Sequence, residues 1–320
     1  MQKSVIKIIP DIRINRNKRG FSVFAKVSNK SKKDGYLKRN IKFLKDSIIN
    51  ANKQREYLTN AIEEVKSKIY LTQLFRVFCL ITLIYFLKPI NKRIKTRLRN
   101  LDILKTKFID GKNLSFVNLD FELDEKANKK YLLLIDMFKK LAESECIWNV
   151  NSKTQIDFVR YRSCASSECD LSQTDLSLKS FPGIKSSFQS CYFENKSGPD
   201  IYIYPCFALI CKSKNNFEMI DIRKLSLIWV DENFVEYGLQ PKDGTVIEYV
   251  WDKSNKDGSR DYRYSDNKQI PLMKYGQFKF EYNGDHLGEF MFSNYKSTSN
   301  LFNVFITFTD DSLILYKKRI

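Results

Sequence analysis

Five basic residues fall within eight positions of the chain, and no acidic residue lies among them. They are Lys92, Arg93, Lys95, Arg97 and Arg99. Ammonium and guanidinium groups form charge-assisted hydrogen bonds with phosphate oxygens, whereas like charges along one helix repel each other. The spacing therefore favours an anion that compensates this cluster, either an external phosphate or acidic side chains of the same fold. The alternative interpretation is a helix face whose charges are only solvated.

The rest of the N-terminal third strengthens the expectation of a negatively charged partner. Residues 1–100 hold 25 Lys and Arg against 6 Asp and Glu, whereas residues 101–320 hold 30 against 31. The net charge of +18 therefore originates in the first segment, which is typical of a region that binds a polyanion. Further candidate contacts are Arg13, Arg16, Lys18 and Arg19. Duplex DNA, structured RNA and an anionic membrane leaflet all have the required charge.

The stretch KDGSRDYRYSDNKQIPLMKYG, residues 256–276, combines two arginines and three tyrosines with an Ile-Pro step. Arg260 and Arg263 are candidates for a pocket that binds an anionic or nucleotide ligand. The same stretch is rich in turn residues, and Pro271 restricts Ile270 to extended backbone. The alternative interpretation is the corner of a sheet, held by ion pairs and aromatic side chains.

No residue pattern assigns a catalytic or metal site. His286 is the single histidine and follows Asp285, but no nucleophile motif accompanies it. The seven cysteines have irregular spacing without a Cys-x-x-Cys pair, which is typical of reduced thiols. The sequence contains no phosphate-loop or dinucleotide motif, so no cofactor is predicted. A metal-dependent nuclease using Asp200, Glu218 and Asp221 remains an alternative, although the expected Glu-x-Lys triplet is missing.

Two elements must position the basic residues. Residues 1–30 alternate apolar and polar side chains around Asn-Arg-Asn-Lys-Arg-Gly, which predicts a β-hairpin module. Residues 31–110 predict a basic helical region, either one long amphipathic helix or a helical hairpin with coiled-coil packing. Its apolar positions recur at steps of three and four residues in two runs separated by a polar gap: Ile41, Leu44, Ile48 and Ala51, then Leu58, Ile62, Val65 and Ile69.

Residues 71–90 include the most apolar stretch, VFCLITLIYFL at 77–87, and then Pro89, which is expected to end or kink the helix. Eleven helical residues extend about 16 Å, against roughly 30 Å for the hydrocarbon core of a bilayer. We therefore expect the segment to be buried against other helices or to mediate self-association. Membrane association through residues 71–90 is the alternative. Because no secretory signal is recognisable, we expect a cytoplasmic chain.

Residues 111–320 predict a β-rich domain with one amphipathic helix at about 125–145, marked by Tyr131, Ile135 and Phe138. A strand is expected around Val117 and Leu119. Short runs between turn sequences predict further strands: IYIYPCFALICK, LSLIWV, TVIEYVW, GQFKFEY, LFNVFITF and SLILYKK. The predicted fold class is α+β, in which a hairpin and long helices precede a mainly antiparallel β sandwich or partly open barrel.

An ordered set of motifs resembles a family of uncharacterised bacterial proteins. The motifs are CIWNV (146–150), VRYRSCASS (159–167), GPDIYIYPCFALI (198–210) and EYVWDKSNKDGSRDYRYSDNKQIPLMKYGQFKF (248–280). The N-terminal KIIPDIRINRNKRGFSVFAKV is similar to a truncated form of the module called domain of unknown function 4236. The resemblance implies a hairpin module in front of a β-rich half and brings no enzymatic activity with it.

The sequence thus favours a binding or accessory protein without catalytic activity, whose basic N-terminal region contacts a polyanion, with nucleic acid as the first expectation. A membrane-associated sensor or anchor is the first alternative. A nuclease in the C-terminal half is the second.

Overall fold

The computed structural model describes residues 4–9, 12–17, 20–28, 34–82, 84–155 and 167–317. The chain forms two compact units. Unit 1 comprises Met1–Val27, Asp34–Asp120 and Pro182–Ser187, and unit 2 comprises Ser28–Lys33, Phe121–Phe181 and Phe188–Ile320. Over the described ranges the chain has four α-helices and mostly antiparallel strands, with the long helices before the β-rich half. The predicted α+β class is confirmed.

The long helices of unit 1 form an antiparallel helical hairpin. Helix α1, Asp34–Ile81, packs against helix α2, Lys88–Leu114, and only a short connection joins them. The shielded positions of α1 follow alternating steps of four and three residues as far as Thr72: Leu44, Ile48, Ala51, Arg55, Leu58, Ile62, Val65, Ile69 and Thr72. Cys79 continues the series after the exposed Arg76. In α2 the same steps connect Ile94, Leu98, Leu101, Lys105, Phe108 and Lys112. We call these positions the seam, because their spacing is that of a coiled coil.

The break between the two helices lies before Pro89. Helix α1 ends at Ile81, and a short 3-10 helix, Ile84–Phe86, fills the connection. Pro89 lies in the first turn of α2, where a missing N–H costs no helical hydrogen bond, so the proline helps to begin α2. The apolar segment is not buried against other helices of the chain, except at Cys79, which is 1% exposed. The exposed fraction of its large apolar side chains ranges from 39% for Leu80 to 77% for Ile81 among the described residues. Self-association through this segment stays a prediction.

A five-stranded sheet lies in unit 1, in the order β1 (Ser4–Ile9), β2 (Ile12–Asn17), β3 (Gly20–Ser28), β4 (Val117–Glu122) and β8 (Ile184–Ser186). Strands β2 and β3 pair as the alternation predicted, with Asn17 opposite Gly20. The alternation did not assign β1 as a separate strand. Strand β8 comes from the middle of the chain and pairs in parallel with β4, so it completes this sheet.

Unit 2 contains two mainly antiparallel sheets and two helices. The first sheet has the order β12 (Asn216–Asp221), β11 (Phe207–Ser213), β10 (Asp200–Ile203), β9 (Cys191–Phe193), β7 (Leu176–Leu178). The second has the order β13 (Leu225–Val235), β15 (Gln269–Tyr282), β16 (Asp285–Phe292), β5 (Ile147–Gln155), β6 (Ser167–Gln173), with β14 (Thr245–Trp251) also paired to β15. Helices α3 (Glu125–Ala142) and α4 (Tyr295–Lys317) pack against each other.

Aromatic side chains from both sheets share the core of unit 2. The ring of Phe193 in β9 lies 4.9 Å from that of Phe280 in β15 and 5.4 Å from that of Phe290 in β16, between centroids. Helix α3 adds Phe138, whose ring is 5.3 Å from that of Phe193. The two sheets therefore face each other across one hydrophobic core, which α3 and α4 extend. The amphipathic helix predicted at about 125–145 is α3.

Two predicted strands are wrong. The runs LFNVFITF and SLILYKK are rich in β-branched and aromatic residues, yet both belong to α4 as far as Lys317. Leu301, Phe305 and Phe308 are buried and recur at steps of four and three residues, which is a helical spacing. Packing against α3 outweighs the local strand propensity.

Candidate polyanion interface on the helical hairpin

Helix α2 carries the five clustered basic residues near its N-terminal end, and all five side chains are exposed. Ile94, in the middle of the cluster, is 5% exposed and belongs to the seam, so the neighbouring basic side chains point away from it. Within the described part of the chain, none of Lys92, Arg93, Lys95, Arg97 and Arg99 forms an ion pair or a side-chain hydrogen bond. Neutralisation by acids of the same fold, which the sequence left open, is therefore not seen there.

Two shallow grooves lie along α2, and they differ in charge. The first has a volume of about 610 Å³, and its lining contains no Asp or Glu: Pro89, Lys92, Arg93, Thr96, Arg97, Asn100, Leu101 and Leu104. We call it the acid-free groove. The second, of about 690 Å³, has two carboxylates in its lining: Lys95, Leu98, Arg99, Asp102, Ile103, Thr106, Lys107 and Asp110. The acid-free groove is therefore the better match to an anionic ligand.

The closed end of the hairpin exposes large apolar side chains. We call this set the apolar tip: Tyr70, Leu71, Leu74, Phe75, Val77, Phe78, Leu80, Ile81, Phe86 and Leu87. Beside it, the guanidinium carbon of Arg76 lies 5.5 Å from the ring centroid of Tyr85, a cation–π contact. Among the helices that the structure describes, none is both long enough and apolar enough to cross a membrane.

The basic residues predicted near the N-terminus are only partly described. Arg13 and Arg16 lie in β2, opposite Phe24 and Phe21 of β3. Lys18 and Arg19 lie outside the described residues. Their contribution to anion binding stays a prediction.

Arg260 and Arg263 have partners within the corner between β14 and β15. Arg263 pairs with Asp261, which is 2% exposed, and its Nε donates to Oδ1 at 2.8 Å. The guanidinium carbon of Arg260 lies 5.2 Å from the ring centroid of Trp251 and 5.3 Å from that of Tyr262. These contacts correspond to the corner interpretation, in which ion pairs and aromatic side chains hold the turn.

The carboxylates considered for a nuclease lie apart from one another. Asp200 is at one end of β10 and accepts a hydrogen bond of 3.0 Å from the Tyr192 hydroxyl. Asp221 lies at the opposite end of this sheet and accepts from the backbone N–H of Arg223. Glu218 lies on β12 opposite Ile210 of β11, between these two ends of the sheet. Over the described ranges, no three His, Cys, Asp or Glu side chains are grouped as metal ligands.

The sequence did not indicate a further cationic cluster in unit 1. Phe116, just after α2, has the Arg55 guanidinium carbon 4.3 Å and the Lys185 ammonium nitrogen 3.9 Å from its ring centroid. Burial lowers the pKa of the Arg55 guanidinium. Lys185 comes from β8, far away along the chain, so no local pattern connected it with Arg55.

Comparison of the chain with protein-family models, with curated proteins and with solved structures found no match. The resemblance to the domain of unknown function 4236 therefore stays a prediction. The geometry of the helical hairpin is the basis for inferring function.

Proposed function

We propose that the chain is a non-enzymatic nucleic-acid-binding protein that contacts phosphates through the acid-free groove of α2. The observation that supports this most directly is the set of exposed cations Lys92, Arg93 and Arg97, which have no ion pair among the described residues, in a groove without a carboxylate. Binding of a polyanion relieves the repulsion between such cations and releases counterions from the nucleic acid.

The neutral residues of the groove favour nucleic acid over a lipid headgroup as its ligand. Thr96 and Asn100 line the groove together with the cations. Hydroxyl and amide groups donate hydrogen bonds to phosphate and sugar oxygens, and an amide also reaches base edges. A helix of about 10–12 Å diameter fits a major groove of about 12 Å. Attraction to a membrane surface needs only the positive charge.

The N-terminal end of α2 adds to the positive potential. Leu87 provides no side-chain hydrogen bond to this helix end, and the first turn contains no acidic residue. The free N–H groups of a helix N-terminus carry a partial positive charge that attracts anions. Lys92 and Arg93 follow within the next turn. An anion bound here is therefore stabilised by both the helix end and the side chains.

Fluorescence anisotropy with a labelled DNA duplex and an RNA of equal length, over a series of salt concentrations, tests the proposal. We expect affinity to fall steeply with salt, with a slope that decreases by about 0.9 for each duplex phosphate contact removed. The double variant Arg93→Gln/Arg97→Gln should bind about tenfold more weakly or worse, because it removes two phosphate contacts.

The matched control is Lys66→Gln/Lys68→Gln, which removes the same charge from the same hairpin. Lys66 and Lys68 are paired with Glu63 and Glu64 at 2.7 and 2.6 Å, so their removal should change affinity little. An equal loss in both double variants would contradict a specific role of the groove. Absence of binding to either nucleic acid at low salt, or binding to anionic vesicles alone, would overturn the proposal.

A further inference from the structure

The apolar tip conflicts with the usual pattern of a solvated coiled coil. Positions outside the seam face water and are normally polar, because the partner helix covers only the seam. Apart from the exposed Tyr57, helix α1 follows this rule over the turns up to Lys68, with Glu63, Glu64 and Lys66 exposed. From Tyr70 onward the positions outside the seam are mainly apolar, although α2 already occupies the seam.

The apolar side chains of the tip form a broad face on α1. At 3.6 residues per turn, the exposed side chains from Val77 through Leu74 and Phe78 to Phe75 span about 160° of the helix circumference, and the polar Gln73 separates them from Leu80. A second copy of the hairpin, or another partner helix, would bury a single stripe. A hydrocarbon environment contacts the whole of a face this wide. The arrangement therefore favours lipid over a protein partner.

The charges beside the tip complement an anionic surface. Residues 65–101 contain no Asp or Glu. Their basic residues are Lys66, Lys68, Arg76, Lys88, Lys92, Arg93, Lys95, Arg97 and Arg99. Arg76 lies over Tyr85, and both residue types are suited to the boundary between headgroups and hydrocarbon.

The hairpin geometry sets the orientation in which the tip can meet a membrane. Residues 70–81 extend about 18 Å along the helix, less than the roughly 30 Å of a hydrocarbon core, and the basic end of α2 runs back beside them, so end-on insertion would place its cations in hydrocarbon. We infer that α1 lies parallel to a lipid membrane rich in anionic headgroups, with the apolar face of the tip entering the hydrocarbon of one leaflet, while Arg76 and Lys88 contact the headgroup phosphates. This inference is independent of nucleic-acid binding by the acid-free groove.

A tryptophan reporter tests insertion directly. Phe78→Trp places the reporter in the tip, and Tyr57→Trp places a matched one at a position of α1 that is 69% exposed outside the tip. The three native tryptophans give the same background in both variants. With vesicles of phosphatidylcholine containing about 30% phosphatidylglycerol, we expect a blue shift and quenching by brominated acyl chains for Phe78→Trp only. Pure phosphatidylcholine vesicles should give a much weaker response.

A second variant separates insertion from charge attraction. Leu71→Gln/Phe75→Gln/Phe78→Gln keeps every charge and every seam residue, so helicity and oligonucleotide affinity should not change. Vesicle affinity should fall by about a hundredfold, because three large apolar side chains no longer enter hydrocarbon. Equal vesicle binding by variant and wild type, or no vesicle binding by the wild type, overturns the inference. A wild-type oligomer that this variant dissociates, without vesicle binding, would show that a second copy is the occupant.

Discussion

At the scale of single residues, the contacts of Arg263 in the corner between β14 and β15 are those of an arginine that stabilises the fold rather than one that binds a ligand. The Asp261 carboxylate is almost completely buried and accepts hydrogen bonds from the Nε and the backbone N–H of Arg263 at 2.8 and 3.1 Å. The Arg263 side chain is 62% exposed, so solvent weakens the pair. Removal of the side chain still takes one charged donor away from a buried carboxylate.

We expect Arg263→Ala to lower the free energy of unfolding by about 1 kcal/mol without changing oligonucleotide affinity. Urea denaturation and fluorescence anisotropy measure the two quantities on the same preparation. Weaker oligonucleotide binding at unchanged stability would instead support the anion pocket that the sequence suggested for Arg260 and Arg263.

At the scale of elements, α4 approaches β15 closely at one glycine. A Cβ atom at Gly276 would lie 2.6 Å from the Cβ and Cγ2 atoms of Thr298 in α4, closer than van der Waals contact allows. Thr298 is itself fully buried, and its hydroxyl donates to the backbone carbonyl of Asn294. The helix cannot keep its present distance from the strand if a larger residue occupies position 276.

Gly276→Ala should therefore lower the free energy of unfolding by about 1–3 kcal/mol, because the added methyl group forces α4 away from β15. The matched control is Gly238→Ala, whose added Cβ meets only the flexible carboxylate of Glu236, at 3.1 Å. Urea denaturation of both variants measures the difference. Equal stability of the two variants would mean that α4 does not depend on this close approach.

Elements with long and regular periodicity could be predicted from the sequence, and others could not. The seam of α1 repeats over many turns, so Leu44, Ile48 and Ala51 already indicated a helix. The residues of α4 have high strand propensity, and only packing against α3 decides for a helix. Strand β8 has three residues and pairs with the distant β4, so no local pattern identified its place in the sheet.

The candidate site was predictable in residue type but not in surroundings. The run from Lys92 to Arg99 is visible in the sequence, because charge needs no knowledge of the fold. Which of these side chains share a groove with carboxylates depends on the face that α2 turns toward α1. The exposure of Phe75 and Phe78 was missed for the same reason, since an apolar run usually predicts burial.

At the scale of the whole molecule, unit 2 buries tyrosine hydroxyl and cysteine thiol groups, and burial keeps these groups protonated. Burial raises the pKa of Tyr131, Tyr275, Cys191 and Cys211, and for Tyr275 the nearby Glu236 carboxylate raises it further. In an unfolded chain, cysteines lose their protons near pH 8.5 and tyrosines near pH 10, both approximate values. Above these values the unfolded chain binds fewer protons than the folded one, so the free energy of unfolding falls as pH rises.

We expect the melting temperature to be steady between about pH 6 and pH 8 and to fall markedly by about pH 10.5. Thermal unfolding followed by circular dichroism at several pH values measures this. Cys191→Ala removes one of the contributing groups, so its melting temperature should decline less steeply over the same interval, from a lower starting value. A melting temperature that is constant up to pH 10.5 would contradict the burial of these hydroxyl and thiol groups.

The parallel pairing of β4 with β8 has a consequence for biosynthesis. A ribosome delivers β4 early, but it must translate α3, β5, β6 and β7 before β8 emerges. Until then the growing polypeptide presents β4 with one edge unpaired, and such an edge can recruit foreign strands. The N-terminal sheet therefore cannot be completed until the middle of the chain has been translated. A nascent chain stalled before residue 184 would be the species most in need of a chaperone.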